Sequence, residues 1–421
     1  MRKTTRLTIL YSLVILIFCS VAWQHAHAIR PSIIYGGMVD NTQASATIPP
    51  CTAMGYSVET TLTTAIGANY QMVFHRVQRD AQTTRYGYAV IRHVVTGEYR
   101  LIVYNTSTMA TVSNTQLQAN STGKYGEGVT GEIHTNTLYL FRHINTGFSG
   151  CVGGPCAALN IINESGTVLG ESIVLGLQST VFDDTRMSGA TTLLLVDTAA
   201  AGLRRLSTWS TAGTKIFQGP NSAINANGLI SYGVNSYNFV GFKDAAKTVW
   251  RVQGDSTTID ATGSFNTSFP INNSLGAILV FPGNDIGATF VIGESIFFGG
   301  TNAVRGYLTG GLAFAGTTTT YVATDGSAGF QGTFWDATNQ KVHSFRADGG
   351  AGPTEMIIRS TPDTGTIEER FTCGGGVCVV GSSAQVVDFI ESYARLFAAV
   401  TSGSNAVFSR IKVCAAGGPA A

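Results

Sequence analysis

Apolar and polar residues alternate over short stretches along most of the chain, and these stretches end in clusters of Gly, Asn, Ser, Thr and Asp. A period of two sends neighbouring side chains to opposite faces of an extended strand, so the pattern predicts short strands joined by turns. Between residues 137 and 174 it predicts strands at Thr137–Ile144, Ala157–Ile162 and Thr167–Val174. Between residues 190 and 217 it predicts Ala190–Val196, Leu203–Thr208 and Thr214–Phe217. Long helical periodicity is nearly absent. The segment Ala384–Val400 fits one helix or two strands, and periodicity alone leaves both open. The fold class expected from this pattern is all-β.

The strands recur in modules. Val90-Ile91-Arg92-His93-Val94-Val95-Thr96-Gly97 returns as Leu140-Phe141-Arg142-His143-Ile144-Asn145-Thr146-Gly147, fifty residues later. A looser form, an apolar stretch followed by an acidic residue opening a turn, appears at Leu195-Val196-Asp197, Phe242-Lys243-Asp244, Ile292-Gly293-Glu294, Phe334-Trp335-Asp336 and Phe389-Ile390-Glu391. The anchors His93, His143, Asp197, Asp244, Glu294, Asp336 and Glu391 stand 50, 54, 47, 50, 42 and 55 residues apart. A β-helix needs a shorter period, and tandem β-sandwiches need about a hundred residues per domain.

Three or four short strands in each module of about fifty residues are the pattern of a propeller blade. From about Tyr56 to Ala421 the chain resembles β-propeller proteins in general, with no motif of one particular family. The sialidase-type Asp-box is missing, and Trp335-Asp336 is the single Trp-Asp pair, without a repeating Gly-His partner. The expected architecture is one β-propeller, with seven blades of three to four antiparallel strands. After Glu391 only about thirty residues remain, fewer than one blade of this period needs. The segment 29–66 can supply the missing outer strand, so the ring is expected to close with an N-terminal strand and leave no open edge.

Targeting and charge then set the compartment. Arg2, Lys3 and Arg6 precede an apolar run from Leu7 to Ala22, and Ala26-His27-Ala28 fits a small-x-small cleavage site. Residues 1–28 are read as a signal peptide, 29–55 as an N-terminal arm and closing strand, and 56–421 as the propeller. The mature chain of 393 residues (421 − 28) is expected to be secreted, extracellular or at the cell surface, with no membrane span after cleavage. Three of the 26 basic residues lie in the leader, which leaves 23 against 25 acidic ones. Without a basic stripe, nucleic acid is not an expected partner. Charged residues make up 12% of the chain, so Thr, Ser, Asn and Gly cover much of the surface, and such a surface repels its own copies weakly.

Six cysteines remain once Cys19 leaves with the leader, an even number that reads as disulfides in an exported chain. Cys151–Cys156 and Cys373–Cys378 each enclose four residues rich in turn formers, leaving Cys51 to pair with Cys414. That last bond would close a loop of 363 residues (414 − 51). The chain-entropy relation gives it an upper bound of roughly 6 kcal/mol.

The chemistry is less legible. His93, His143, Asp197, Asp244 and Asp336 are candidates for a ligand-bearing face, since each stands where a strand meets a turn. An Asp in that place also bonds the backbone two residues on and so caps its own turn. No Gly-x-Ser-x-Gly occurs, and the stretch from Gly241 to Thr248 that approaches a phosphate loop has Ala246 where the second glycine belongs. No catalytic residue, metal site or cofactor is expected. Trp209, Trp250 and Trp335 offer stacking surfaces for glycans or pack between blades. Asn105, Asn120, Asn163, Asn266 and Asn272 fit the glycosylation acceptor pattern.

The function expected is a non-enzymatic binding or structural protein, a self-assembling subunit of a surface layer or filament whose partner is itself. The apolar arm Ile29–Val39 could add to a neighbouring subunit as a strand. The alternatives are a secreted propeller enzyme (hydrolase, lyase or oxidoreductase) and a carbohydrate-binding adhesin.

Overall fold

The computed structural model describes residues 55–78, 82–118, 129–144, 156–174, 182–188, 191–198, 204–221, 228–230, 237–242, 248–253, 259–264, 275–282, 289–298, 301–308, 313–322, 330–336, 341–346, 354–359, 367–373, 386–390 and 395–414. The leader, the arm, Cys51, Cys151, Cys378, Asp244 and Glu391 lie outside the described residues.

Chain order and sheet order nearly coincide. A first strand, Gly55–Ala65 (β1), is followed by Tyr70–Val77, Tyr86–His93, Tyr99–Asn105 and Ala110–Gln118 (β2, β3, β4, β5), which pair in that order into the first sheet. Thr130–His134, Thr137–Ile144, Cys156–Ile162 and Val168–Val174 (β6, β7, β8, β9) form the second. Phe182–Ser188, Thr192–Thr198, Arg204–Ser210 and Lys215–Asn221 (β10, β11, β12, β13) form the third. The fourth holds Gly228–Ile230, Tyr237–Phe242, Thr248–Gln253 and Ile259–Ser264 (β14, β15, β16, β17). The fifth holds Leu275–Pro282, Thr289–Phe298, Thr301–Leu308 and Ala313–Val322 (β18, β19, β20, β21). The sixth holds Phe330–Asp336, Lys341–Arg346, Thr354–Arg359 and Ile367–Cys373 (β22, β23, β24, β25).

Val386–Ile390, Arg395–Ser402 and Asn405–Cys414 (β26, β27, β28) are the last three strands, and their sheet is completed by β1 in the order β1-β28-β27-β26. β1 lies antiparallel to β28 from Gly55 opposite Cys414 to Ala65 opposite Asn405. The segment Ala384–Val400 therefore resolves as two strands, β26 and the start of β27, and no helix occurs among the described residues.

Why these stretches stand as strands is clearest in β3. Tyr88 and Val90 point to one face and Ala89 and Ile91 to the other, and all four are fully buried. A strand covered on both faces reads as a continuous apolar run rather than a half-polar alternation. Tyr88 and Val90 pack with Leu101 and Val103 against Ile133, Leu138 and Leu140 of the second sheet. Ala89 and Ile91 pack with Met72, Ile102 and Tyr104 against Phe397, Ala399 and Phe408 of the last sheet. β11 repeats the device, with Leu193 and Leu195 meeting Phe141 and Leu159 of the second sheet. Among the described side chains the core is thus three apolar seams, between the last and first, first and second, and second and third sheets.

At the inner side, the first strand of each sheet lies against the first strand of the next, from β2 through β6, β10, β14, β18 and β22 to β26, and β26 lies against β2. At the outer side, the fourth strand carries an irregularity near its start. One extra residue interrupts the register at Val112, Leu169 and Ile216 in the first three sheets. The same place holds Asp260 in the fourth sheet, Glu368 in the sixth and Glu59 in the last. A bulge of this kind breaks the ladder and re-aims a side chain.

Candidate functional site

Among the described side chains, buried charge gathers where the first strands of three consecutive sheets meet. Arg76 stands near the end of the largely apolar β2, Glu132 in the middle of the fully buried β6, and Thr185 and Arg186 in β10. The Arg76 guanidinium donates to the carbonyls of Gly131 (2.8 Å) and Thr185 (2.6 Å) and to the Glu132 carboxylate (3.1 Å). Glu132 also accepts from the Ile133 amide at 3.0 Å and has Arg186 at 3.8 Å. The Glu132 side chain is 3% exposed and that of Arg76 10%, so each charge relies on the others rather than on water. Beside it, the buried His75 bonds the Tyr104 hydroxyl through Nε2 at 2.8 Å, and the Tyr104 ring meets Phe408 across the seam at 4.7 Å.

A second set of ions bridges sheets nearer the rim. Arg142 donates to Asn160 (2.5 Å) and Glu171 (2.6 Å) of its own sheet and to Gln118 (2.7 Å) of the sheet before. Burial pushes the Glu171 carboxyl up, but the hydrogen bonds from Asn160 and Arg142, with the Arg142 charge, outweigh it and hold the group below the usual range. Glu98 behaves alike: burial raises it, and donors from Tyr70, Arg100 and Gln116 bring it below the usual value. Tyr70 is raised in turn, by burial first and then by donating to that carboxylate.

At the join of the last and first sheets, Glu59 accepts from Arg395 Nε at 2.6 Å and Arg410 Nε at 3.0 Å. Arg410 also donates to the Thr106 and Ser107 carbonyls in the turn between β4 and β5.

Of the residues singled out by the repeat, His93, His143, Asp197 and Asp336 stand at or near strand ends. His93 ends β3 and caps its own turn, its Nδ1 accepting from the amides of Val95 (3.3 Å) and Thr96 (3.0 Å) while the ring edge rests on Tyr70. His143 lies opposite Ala157 near the end of β7, and Asp197 opposite Phe182 near the end of β11. These three mark ends of second strands, whereas Glu294 lies in the middle of β19. Asp336 instead ends a first strand, β22, opposite Lys341, so it stands at the other end of its sheet. The short interval of 42 residues before Asp336 is where the anchor slips from the second strand to the first.

Sequence reading passed over Arg76, Glu132 and Arg186. The signal was available: in a chain with 12% charge, His75-Arg76 and Gly131-Glu132-Ile133 place charge inside buried strands. Among the described residues no three His, Cys, Asp or Glu side chains gather as a metal site. No helix there is long and apolar enough to cross a membrane.

Successive four-stranded antiparallel sheets, each set on the next through its first strand, make this chain a β-propeller protein. No protein-family model matches it, and no curated protein does. Among solved structures it is similar to one described as the Dos1 propeller, at 8% identity over 77% of this chain and 74% of that one, with a TM-score of 0.46. It is also similar to a chain from a study of two prolyl endopeptidases, at 10% identity over 83% of this chain, with a TM-score of 0.46. It spans about half of that second chain, 51%. Neither likeness bears on what this chain binds or does.

Proposed function

We propose that this chain is an exported binding or structural propeller that associates with its own copies at the cell surface or outside the cell. The observation that carries this reading is the character of the outer strands. β5 holds no charged residue and no proline, and the outer strands of the first three sheets expose Val112 (44%), Leu169 (61%) and Ile216 (50%) to solvent. An outer strand without charge, followed by two that expose aliphatic side chains, is poor at keeping copies apart. The buried charges, in contrast, are engaged with one another across sheets and support the scaffold.

The same reading holds that the seven sheets are seven blades of one closed ring, completed by β1. Support comes from the pairing of β1 with β28, the contact of β26 with β2, and the shared apolar seam. A Cys51–Cys414 bond belongs to it as well, because Gly55 sits opposite Cys414, four residues along from Cys51. Cleavage after Ala28 and pairing of Cys151 with Cys156 and Cys373 with Cys378 complete the proposal.

Light scattering of the purified mature chain across a hundredfold concentration range tests it, with a second chain lacking residues 29–48 alongside. Growth of mass with concentration in the first, and its loss in the second, are expected. A monodisperse monomer throughout in both would overturn the reading.

A further inference from the structure

The exposed aliphatic residues of the rim are not scattered. Val112, Leu169 and Ile216 are each the extra residue of the bulge that opens a fourth strand, and each follows a hairpin capped by a side-chain oxygen. Asn105 Oδ1 accepts from the Ser107 and Thr108 amides, Asn163 Oδ1 from the Thr167 amide, and Ser210 Oγ from the Thr214 amide. Six or seven residues beyond these caps stand Val112, Leu169 and Ile216. The cap fixes the turn, the turn fixes the bulge, and the bulge turns one aliphatic side chain outward in each of three consecutive sheets. Val168, beside Leu169, is also exposed, at 43%. In the fourth, sixth and last sheets the bulge residue is instead acidic: Asp260, Glu368 and Glu59. The residue at this position is therefore aliphatic in three consecutive sheets and acidic in three others.

We propose that the arc carrying Val112, Leu169 and Ile216 seats the apolar arm of a second copy, residues Ile33 to Val39. This rests on the self-association proposed above and names its contact. Two features select the arm as occupant. Its sequence, Ile33-Ile34-Tyr35-Gly36-Gly37-Met38-Val39, is free of charge and supplies aliphatic side chains to match the arc. The chain leading from it enters the described fold at Gly55, the first residue of β1, itself an outer strand, so the arm leaves from the rim. The 16 steps of chain from Val39 to Gly55 (55 − 39) reach up to about 55 Å when extended, enough to cross to a neighbouring molecule. The bulges also decide the kind of contact. A ladder interrupted at Val112 and again at Leu117 is a poor template for an added strand, so the arm binds through side chains. The arc of one copy and the arm of another make a head-to-tail contact, which builds rings or open filaments.

The experiment uses the mature chain and two variants: a rim variant carrying V112T, L169T and I216T, and an arm variant lacking residues 29–48. Far-UV circular dichroism and thermal melting first verify that both remain folded. Sedimentation then reads association. Each threonine is expected to weaken it about fivefold to tenfold, and all three by more than about a hundredfold. Mixed in equal amounts, the rim and arm variants are expected to form a 1:1 complex, since one keeps the arm and the other the arc. If the rim variant associates like the parent, the arc is not the seat, although self-association stands. If each variant is monomeric and the mixture stays so, the occupant is not a second copy's arm and the proposal fails. A parent that is monomeric at every concentration removes the self-association reading along with it.

Discussion

Replacing Glu59 with Gln perturbs the hold of β1 on β27 and β28 in the last sheet and little else. Glu59 is the one charged residue of β1, and it is the extra residue of that strand's bulge, which re-aims its carboxylate at two arginines. Arg395 Nε lies 2.6 Å away and Arg410 Nε 3.0 Å away. The three side chains are 15–22% exposed, between a buried and a surface setting. A hydrogen bond to a charged group contributes about 1.5–3 kcal/mol, whereas a surface pair contributes about 0.2–1 kcal/mol. Arg410 keeps its two carbonyl acceptors in the first sheet. A loss of about 1.5 kcal/mol is therefore expected for Glu59→Gln.

Over the 360 residues from Gly55 to Cys414 (414 − 55 + 1), an unfolding entropy of about 2.1 cal/mol/K per residue turns this into a fall in Tm of roughly 2 °C. Glu59→Lys, which sets a third cation beside the two, is expected to cost about 3–5 kcal/mol. Scanning calorimetry at pH 7 reads both, with Glu164→Gln in the β8–β9 turn as a control expected to stay within about 0.5 kcal/mol. Should Glu59→Gln shift Tm no more than Glu164→Gln, the carboxylate does not clasp β1 to its sheet and the reasoning fails.

Other perturbations probe the seams and the inner strands. Glu132→Gln breaks a buried ion cluster spanning three sheets and is expected to cost about 3–5 kcal/mol, read as a Tm fall of roughly 4–7 °C by calorimetry. An Ala at Gly87 would place its Cβ 2.2 Å from the Tyr104 ring, which is held between His75 and Phe408. Gly87→Ala is expected to destabilise by about 1–3 kcal/mol in urea titration, and wild-type stability would contradict the packing. Glu98 and Glu171 are held below the ordinary value of 4.5, so their contribution is complete above that pH and is lost as pH falls through their lowered native values. Stability measured from pH 6 down to pH 3 is expected to drop below about 4.5, and more gently in the Glu98→Gln, Glu171→Gln double variant.

The architecture was largely legible because the blades bury both faces of their middle strands. β7 lies where the pattern placed it, at Thr137–Ile144, and β8 begins one residue earlier than expected. Phase was harder to read than period. An acidic residue opening a turn suits any hairpin, so Asp336 kept the rhythm of the repeat while falling on a first strand rather than a second. His93 was visible as a turn residue, and that is the role its Nδ1 takes. Arg76, Glu132 and Arg186 escaped because they come from three repeats and meet only once the first strands are brought together. The bulges at Val112, Leu169, Ile216 and Glu59 depend on the register of a partner strand, which a single strand's pattern does not contain.

The central claim is that the sheets circle back so that the last meets the first. Spin labels at Thr108→Cys in the β4–β5 turn and Ser404→Cys in the β27–β28 turn report on it, since both positions are exposed and belong to the first and last sheets. Pulsed dipolar spectroscopy is expected to give a single separation below about 35 Å. Seven sheets stacked in a line about 10 Å apart would hold the labels on the order of 60 Å from each other, and that distance would contradict the ring.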